Sequence, residues 1–368
     1  MAKVAISLSG DGRGHATRVR ALVERLREDH AVTIYTSGDA YSMLGPAYAN
    51  SEVRVLRLEC LRFGYDRDGK VRLGATLAGA ASYLRRFPGL VSELAGSLSR
   101  DMPDLVISDF EPALPRAAAR LGIPHISINH QHFLLTYDLR SLPAWLRVHA
   151  SYMGLVVRLY DAPAVARVVS SFYFPPLKRG CGNVTQTGVL LRPQVLDAEV
   201  SNRGGHIVAY WRRQAPQGAM DALRGLDCEV RVYGLGARRA EGNLRFFAAD
   251  EAGFVSDLAS SRALVCTAGN QLVGEAIFLR KPVFAIPEPG NYEQYINAYF
   301  VARMGAGEWA APGRFGVERL RAFLDSGDSF GSDLALARAD GLPRALAVVR
   351  RQLMGVRRLS VAKDPVVV

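Results

Sequence analysis

The sequence predicts an α/β protein with two doubly wound, Rossmann-like domains. Short apolar runs of strand length alternate with helical patterns through most of the chain, which is typical of parallel α/β sheets. The 368 residues correspond to two domains of ordinary size. The alternation also stops once, at a segment rich in turn residues, and then restarts. These observations together favour two successive sheets over one large sheet.

The first domain is expected to span residues 1–190. Its strands are predicted at residues 4–8, 31–35, 53–58, 105–108, 125–129 and 167–174, and its helices at 16–27, 112–121 and within 139–160. Each strand is a short run of apolar and β-branched residues, and each helix shows apolar residues at helical spacing.

A turn-rich segment at residues 175–205 separates the two domains, and the boundary is predicted near 188–193. The second domain is expected to span residues 191–330, and residues 331–368 are expected to form a helical tail that packs back toward the first domain. The second domain has strands predicted at 206–210, 229–233, 244–247, 263–266 and 283–286, with helices at 220–224, 254–260, 271–279 and 294–303.

Charge and composition indicate which ligands the protein attracts and in which compartment it is expected. The net charge of +11 is uneven, since residues 112–196 carry nine basic residues against two acids. Such a surface attracts phosphates of nucleotides, nucleic acids or anionic membranes, or is an ordinary solvated face. Four scattered cysteines without paired spacing argue against a zinc site or a disulfide framework. No signal peptide or membrane-spanning run is recognised, so a cytoplasmic protein is expected.

A glycine-rich loop at residues 9–15, called here the first loop, joins the first strand to the first helix. Its glycines allow a ligand to approach the backbone closely. However, His15 stands where the third glycine of the dinucleotide fingerprint belongs, and the second strand does not end on an acid. A Walker lysine is missing as well. The loop therefore argues against a nicotinamide enzyme and a P-loop hydrolase.

His15 and Asp109 are the candidate catalytic residues. The imidazole of His15 lies at the mouth of the predicted sheet, and histidine is suited to removing a proton from a hydroxyl at neutral pH. Asp109 ends the fourth strand, which places it at the same crevice. The local alternatives are a structural histidine at a helix start and an aspartate that caps the following helix.

Two groups of motifs resemble those of GT-B glycosyltransferases. The donor-binding signature of that fold is similar to Thr267-Ala268-Gly269-Asn270-Gln271-Leu272-Val273-Gly274-Glu275-Ala276, Lys281-Pro282-Val283, Ile286-Pro287 and Glu293-Gln294-Tyr295-Ile296-Asn297-Ala298. The resemblance is greatest to the group that includes the transferase adding N-acetylglucosamine to the lipid-linked peptidoglycan precursor, and to its uncharacterised bacterial and archaeal relatives. In those relatives the first loop is similar to Gly12-Arg13-Gly14-His15-Ala16-Thr17-Arg18. The resemblance implies the GT-B fold, with two domains facing across a cleft.

The resemblance also implies a site for a nucleoside-diphosphate sugar, most simply a UDP-sugar. Free N–H groups at a helix N-terminus can hold a diphosphate without a metal. The family uses the glutamate at position 275 on the ribose hydroxyls, and the pair at 293 and 294 on the donor sugar; the local alternatives are a solvated helix residue and ordinary helix capping. The donor residues expected are Gly14, Gly269, Asn270, Gln271, Glu275, Glu293 and Gln294.

The resemblance to family members that pair a base histidine with an aspartate implies that Asp109 orients His15. If His15 is the base, the acceptor attacks from the face opposite the leaving group, so an inverting transfer is expected. His130 and His132 follow the fifth strand and are expected to line the acceptor site, or else to be structural. Asp66-Arg67-Asp68 has a metal-binding spacing but its setting is that of a β-turn. We therefore expect no metal and no cofactor, because the nucleotide sugar is a co-substrate.

The acceptor is expected to be a membrane lipid or a lipid-linked sugar. Residues 139–160 combine Leu142, Trp145, Leu146, Met153, Val156 and Leu159 with Arg140, Arg147 and Arg158. Such a helix suits the surface of an anionic bilayer, and arginines at 350–358 would add to that contact. Peripheral attachment to the inner face of the cell membrane follows, with no nucleic-acid partner. The alternative is that these apolar residues pack on the sheet.

Two other functions fit the same sequence. A non-hydrolysing nucleotide-sugar epimerase would share the architecture and the donor site but need no acceptor. A non-catalytic protein that binds sugar nucleotides would share the donor site and use His15 only structurally.

Overall fold

A computed structural model describes residues 1–60, 73–201, 204–212, 214–216, 218–248, 250–326, 330 and 340–361. Of residues 73–80 and 356–361 only the backbone is described. Within these ranges the chain forms two seven-stranded sheets flanked by helices, so the predicted α/β class with two doubly wound domains is confirmed.

The first sheet is entirely parallel, with the strand order β3-β2-β1-β4-β5-β6-β7. Central strands β4 and β5 are buried at every residue because helices cover both faces. The strands are β1 Ala2–Leu8, β2 His30–Thr36, β3 Arg54–Arg57, β4 Leu105–Asp109, β5 His125–Asn129, β6 Ala166–Ser170 and β7 Val184–Thr187. The helices are α1 Arg13–Leu26, α2 Gly38–Tyr48, α3 Leu73–Asp101, α4 Ala113–Arg120, α5 Phe133–Thr136 and α6 Ala144–Tyr160.

The second sheet has the order β10-β11-β9-β8-β12-β13-β14 and is parallel except for the edge strand β10. The short helix α7, Pro193–Leu196, lies between the two sheets in sequence. The strands are β8 Ile207–Tyr210, β9 Val230–Tyr233, β10 Arg238–Glu241, β11 Leu244–Phe246, β12 Leu264–Cys266, β13 Val283–Ala285 and β14 Gly307–Trp309. The helices are α8 Ala219–Arg224, α9 Glu251–Ser260, α10 Asn270–Phe278, α11 Tyr292–Arg303 and α12 Val317–Asp325.

The last described helix, α13 Leu342–Val361, packs on the first domain. Its buried residues Leu342, Leu346 and Leu353 belong to the same apolar cluster as residues of β1 and α1. The predicted tail began at residue 331, and residues 331–339 lie outside the described part of the chain.

The order of both sheets places a crevice at their carboxyl ends. In the first sheet, β1 and β4 are neighbours, and the strand order proceeds from β1 toward one edge and from β4 toward the other. The second sheet has the same change of direction between β8 and β12. Ligands of doubly wound sheets bind at such switch points. The loops that follow these four strands therefore carry the candidate site.

Candidate active site

The first loop and the start of α10 face each other across the two domains. A Cβ atom added to Gly14 would lie 4.0 Å from Cβ of Gln271. Asp11 of the first loop forms an ion pair with Arg212, which follows β8 in the second domain. Gly12, with φ of 83°, makes the turn into α1, a conformation that glycine adopts without strain. The site thus lies between the domains.

His15 and Asp109 meet as the sequence analysis predicts. His15 lies in the first turn of α1, and its Nδ1 is 2.9 Å from Oδ1 of Asp109, the last residue of β4. The His15 side chain is 13% exposed and that of Asp109 only 1%. A buried carboxylate behind an imidazole fixes the tautomer with the proton on Nδ1. Nε2 then keeps its lone pair, as a proton acceptor requires.

Arg18 joins this pair, and sequence reasoning missed its role. It donates from Nε to Oδ2 of Asp109 and from Nη2 to Oδ1, both at 2.9 Å. Burial by itself raises the pKa of Asp109, but the Arg18 guanidinium and His15 outweigh it and hold that pKa below its ordinary value. Asp109 is therefore ionised. The signal available in the sequence was a basic residue one helical turn after His15.

Phe110 carries backbone strain at this site. It follows Asp109 directly and has φ of 54°, a conformation that costs a bulky residue energy and that clusters at functional sites. Its ring stacks on Tyr160 with centroids 4.6 Å apart, and its centroid is 6.4 Å from that of His15. An aromatic surface therefore lies beside the imidazole.

The start of α10 is exposed at Gly269, which precedes the first helical residue. Ala268 turns the chain from β12 into the helix with φ of 63°, and its carbonyl accepts a hydrogen bond from Asn297. Gly269 is exposed and has no side chain to cap the first N–H groups. The Asn270 side chain is buried, where it bonds the carbonyl of Ser170 and the N–H of Phe172. The Asn270 side chain is thus occupied, and the backbone N–H groups are what this turn offers to an anion.

Glu275 is placed differently from the expectation of a residue open to the ribose. It is 1% exposed, and its carboxylate accepts from Nη2 of Arg192 at 2.9 Å and from Nε2 of Gln271 at 3.1 Å. Arg192 also pairs with Glu251. Burial lowers the pKa of Arg192, but Glu275 and Glu251 outweigh this and raise it. In this conformation the Arg192 guanidinium takes up the hydrogen-bonding capacity of the Glu275 carboxylate.

The predicted pair Glu293 and Gln294 is split. Glu293 is half-buried and accepts a hydrogen bond from Nε2 of Gln131, a first-domain residue, at 3.3 Å. Gln294 folds back on its own loop, where it accepts from the N–H of Glu288 at 2.7 Å and donates to the Glu288 carboxylate. Glu293 therefore lies between the domains, whereas the Gln294 amide is already occupied in this structure.

His130 and His132 are buried, which favours the structural alternative over their expected place in the acceptor site. His130 lies between the carbonyl of Ser170 and the side chain of Asn297. His132 contacts Ser127 through Nδ1. Burial lowers the pKa of both imidazoles to about 4, so they are neutral. Their geometry is that of structural histidines between packed elements.

Metal ligands are not clustered in the part of the chain that the structure describes. Among those residues, no group of three or more histidine, cysteine, aspartate or glutamate side chains is arranged to hold an ion. Asp66 and Asp68 lie outside the described residues. Likewise, no described helix is both long and apolar enough to cross a membrane.

Helix α6 has one buried and one exposed apolar face. The apolar residues that the sequence analysis assigns to a single membrane-facing surface are therefore distributed over both faces. Leu142 and Leu146 are buried in the core, so for them the alternative of packing is correct. Five exposed apolar residues are spaced three and four apart along one side of the helix; they are Trp145, Val148, Tyr152, Leu155 and Leu159, and are called here the α6 stripe. Val156 is exposed as well. Arg147 and Arg158 are exposed on the same helix, on one side of the stripe, and the helix contains no acid.

Comparisons with known proteins agree with this geometry. The model of the family described as glycosyl transferase family 1 matches residues 2–326. No curated protein matches the chain.

Among solved structures, LpCGTa in complex with UDP shares 17% identity and a TM-score of 0.66 over 96% of this chain and 100% of that one. MurG of Acinetobacter baumannii shares 15% identity and a TM-score of 0.59 over 95% and 100%. UGT89C1 of Arabidopsis thaliana, complexed with UDP-L-rhamnose, shares 15% identity and a TM-score of 0.63 over 99% and 95%. The GT-B fold predicted from the sequence motifs is confirmed.

Proposed function

Because the chain belongs to glycosyl transferase family 1, we propose that it moves a sugar from a UDP-sugar to an acceptor hydroxyl with inversion and without a metal ion. The observation that carries the proposal is the contact of His15 with the buried carboxylate of Asp109, opposite the open start of α10. Two structurally similar proteins bind UDP or a UDP-sugar, which supports this class of donor.

The proposed reaction is a single in-line displacement. Nε2 of His15 takes the proton of the acceptor hydroxyl, and that oxygen attacks the anomeric carbon of the donor sugar. The bond from this carbon to the diphosphate breaks, and the N–H groups at Gly269 and Asn270 stabilise the charge that develops on the leaving group. Asp109 stabilises the imidazolium that forms. Attack from the face opposite the leaving group inverts the anomeric configuration.

The proposal is tested by incubating the protein with a panel of UDP-sugars and measuring free UDP, with and without a cell lipid extract. A transferase releases UDP in an amount that rises with the extract and equals the amount of sugar transferred. Epimerised donor that needs no extract would instead indicate an epimerase. Tight binding of a UDP-sugar without turnover under any condition would indicate a non-catalytic binding protein.

Chelation tests the metal-free part of the proposal. EDTA is expected to leave the initial rate within about twofold of the untreated protein, because helix N–H groups can hold a diphosphate. The initial rate is measured after dialysis against EDTA and again after addition of manganese or magnesium. A large loss that one of these ions restores would contradict the metal-free mechanism.

We further propose that the acceptor is a lipid or lipid-linked sugar, reached at an anionic membrane. The α6 stripe is the supporting observation, since apolar side chains with arginines on one side and no acids suit an anionic bilayer. Helix α6 ends at Tyr160, whose ring stacks on Phe110 beside His15. A membrane under the stripe would therefore present its lipids close to the proposed base.

Flotation with phosphatidylglycerol vesicles tests the membrane proposal. Binding is expected at low salt and should weaken at physiological salt, because exposed cations are screened. Leu155→Ser with Leu159→Ser should reduce binding at least severalfold, since both side chains are exposed on the stripe. Val200→Ser is the matched control, because Val200 is an exposed apolar residue away from α6. Equal binding of both variants, or no binding of the unmodified chain, would contradict the proposal.

A further inference from the structure

We propose that Arg18 is a positioning residue of the transfer reaction, which holds Asp109 in place and balances its charge so that His15 starts each cycle as a neutral base. This inference rests on the proposed function of His15. It goes beyond a pairing of histidine with aspartate, because it assigns a role to a third, buried group that touches both members.

The contacts of Arg18 fix the position of its guanidinium against the Asp109 carboxylate. Its side chain is buried, with the residue 3% exposed, and it lies one turn after His15 on α1. Nε and Nη2 each donate to one oxygen of Asp109 at 2.9 Å, a bidentate pair that fixes the carboxylate plane. His15 Nδ1 shares Oδ1 of the same carboxylate at 2.9 Å. Rotation of Asp109 away from His15 would therefore break both bonds to Arg18.

The position of Nη2 also bears on the His15 tautomer. Nη2 lies 3.1 Å from Nδ1 of His15, and a guanidinium has donors only. Nη2 can donate to Nδ1 only when Nδ1 carries no proton, whereas Oδ1 of Asp109 accepts from a protonated Nδ1 at the shorter distance of 2.9 Å. Because Nη2 also donates to Oδ1, we infer that Nδ1 keeps its proton toward Asp109 and that Nε2 is left without one, as the proposed transfer requires.

Charge balance is the second part of the role. A lone carboxylate beside an imidazole favours the imidazolium, and an imidazolium cannot remove a proton. Arg18 places a positive charge against the same carboxylate. Asp109 can then orient His15 while contributing little net charge to it before the proton moves.

The other groups around this cluster do not replace Arg18. His130, near Arg18, and His132, near Asp109, have pKa values lowered to about 4 by burial and are neutral. The ring of Phe110 is uncharged. Gln271 faces this side of α1 from α10 and is uncharged as well. Among the described residues, Arg18 is thus the cation in contact with Asp109.

Arg18→Met and Arg18→Lys test the proposal through the pH dependence of kcat/KM. In Arg18→Met the uncompensated Asp109 favours the imidazolium, so the acidic limb should move to higher pH by about one unit or more. Arg18→Lys keeps the charge and should restore the position of the limb, although one point charge cannot reproduce the bidentate contact and kcat should stay reduced. An unshifted limb in a folded Arg18→Met variant would overturn the proposal.

Two further measurements test the proposal if Arg18→Met does not fold or if the chain transfers no sugar. If Arg18→Met does not fold, because it leaves Asp109 buried without its partner, the double variant Arg18→Met with Asp109→Asn removes both charges. Its acidic limb should lie at or below that of the unmodified chain, and a limb shifted upward would overturn the charge role. NMR titration of the His15 ring, assigned by the signal that His15→Ala lacks, reads the same shift without turnover. A shift by NMR in a chain that transfers no sugar would support the charge balance between Arg18 and Asp109 but reject the proposed function, and with it the role of Arg18 in transfer.

Discussion

We expect His15→Ala to lower kcat by about 10²–10⁴-fold, the usual contribution of a general base, and to leave the affinity for UDP unchanged. The reason is geometric, since the His15 ring reaches Asp109 and the interdomain space but forms no part of α10. Turnover is measured by UDP release at saturating donor and acceptor, and affinity by calorimetry with UDP alone.

His30→Ala is the matched control for this experiment. His30 begins β2, at the amino end of the parallel sheet and therefore at the edge opposite to the first loop. We expect its turnover to equal that of the unmodified chain. A His15→Ala variant with near-normal turnover would remove His15 from the reaction and leave its contact with Asp109 as structural.

Glu275→Gln weakens UDP binding by about 1.5–3 kcal/mol, the range for hydrogen bonds to a charged group, which is a loss of roughly 10–150-fold in affinity. The glutamine keeps the size of the side chain but loses the charge that, on the proposed function, accepts from two ribose hydroxyls. In the structure described, Arg192 holds this carboxylate at 2.9 Å. On this proposal the ribose takes the place of Arg192 when the donor binds, while Glu251 remains as the other partner of Arg192.

Glu251→Gln separates a ribose contact from a general disturbance of Arg192. It removes the other carboxylate of Arg192 and leaves Glu275 in place. Calorimetry should give this control a UDP affinity within a fewfold of the unmodified chain, with thermal unfolding recorded for both variants. Equal losses in both variants would assign the effect to Arg192, and unchanged affinity in Glu275→Gln would place the ribose elsewhere.

The parts of the fold that follow from local patterns were predictable. Buried parallel strands are rich in apolar residues, so β1, β4 and β12 are visible in the sequence. The edge strands β10 and β14 are not visible, since β10 is Arg-Arg-Ala-Glu and β14 is Gly-Glu-Trp. Their pairing comes from neighbours in the sheet rather than from their own composition.

A residue of the candidate site was predictable from the sequence where it ends a central strand or lies in the loop or first helical turn that follows one. His15 and Asp109 follow or end neighbouring strands, so the topology brings them together. The directions of buried side chains were not predictable in this way. Arg192 reaches Glu275 only because the segment after β7 packs on α10, and His130 is covered because Asn297 of the other domain lies against it.

The most direct test of the account is a structure of the chain with UDP or an unreactive UDP-sugar analogue. The account predicts the diphosphate within about 3 Å of the N–H groups at the start of α10, and the ribose on Glu275 with Arg192 displaced. It also predicts the sugar beside Glu293, with Nε2 of His15 on the face of the anomeric carbon opposite the diphosphate. A nucleotide bound away from α10, or a sugar whose anomeric carbon faces away from His15, would contradict it.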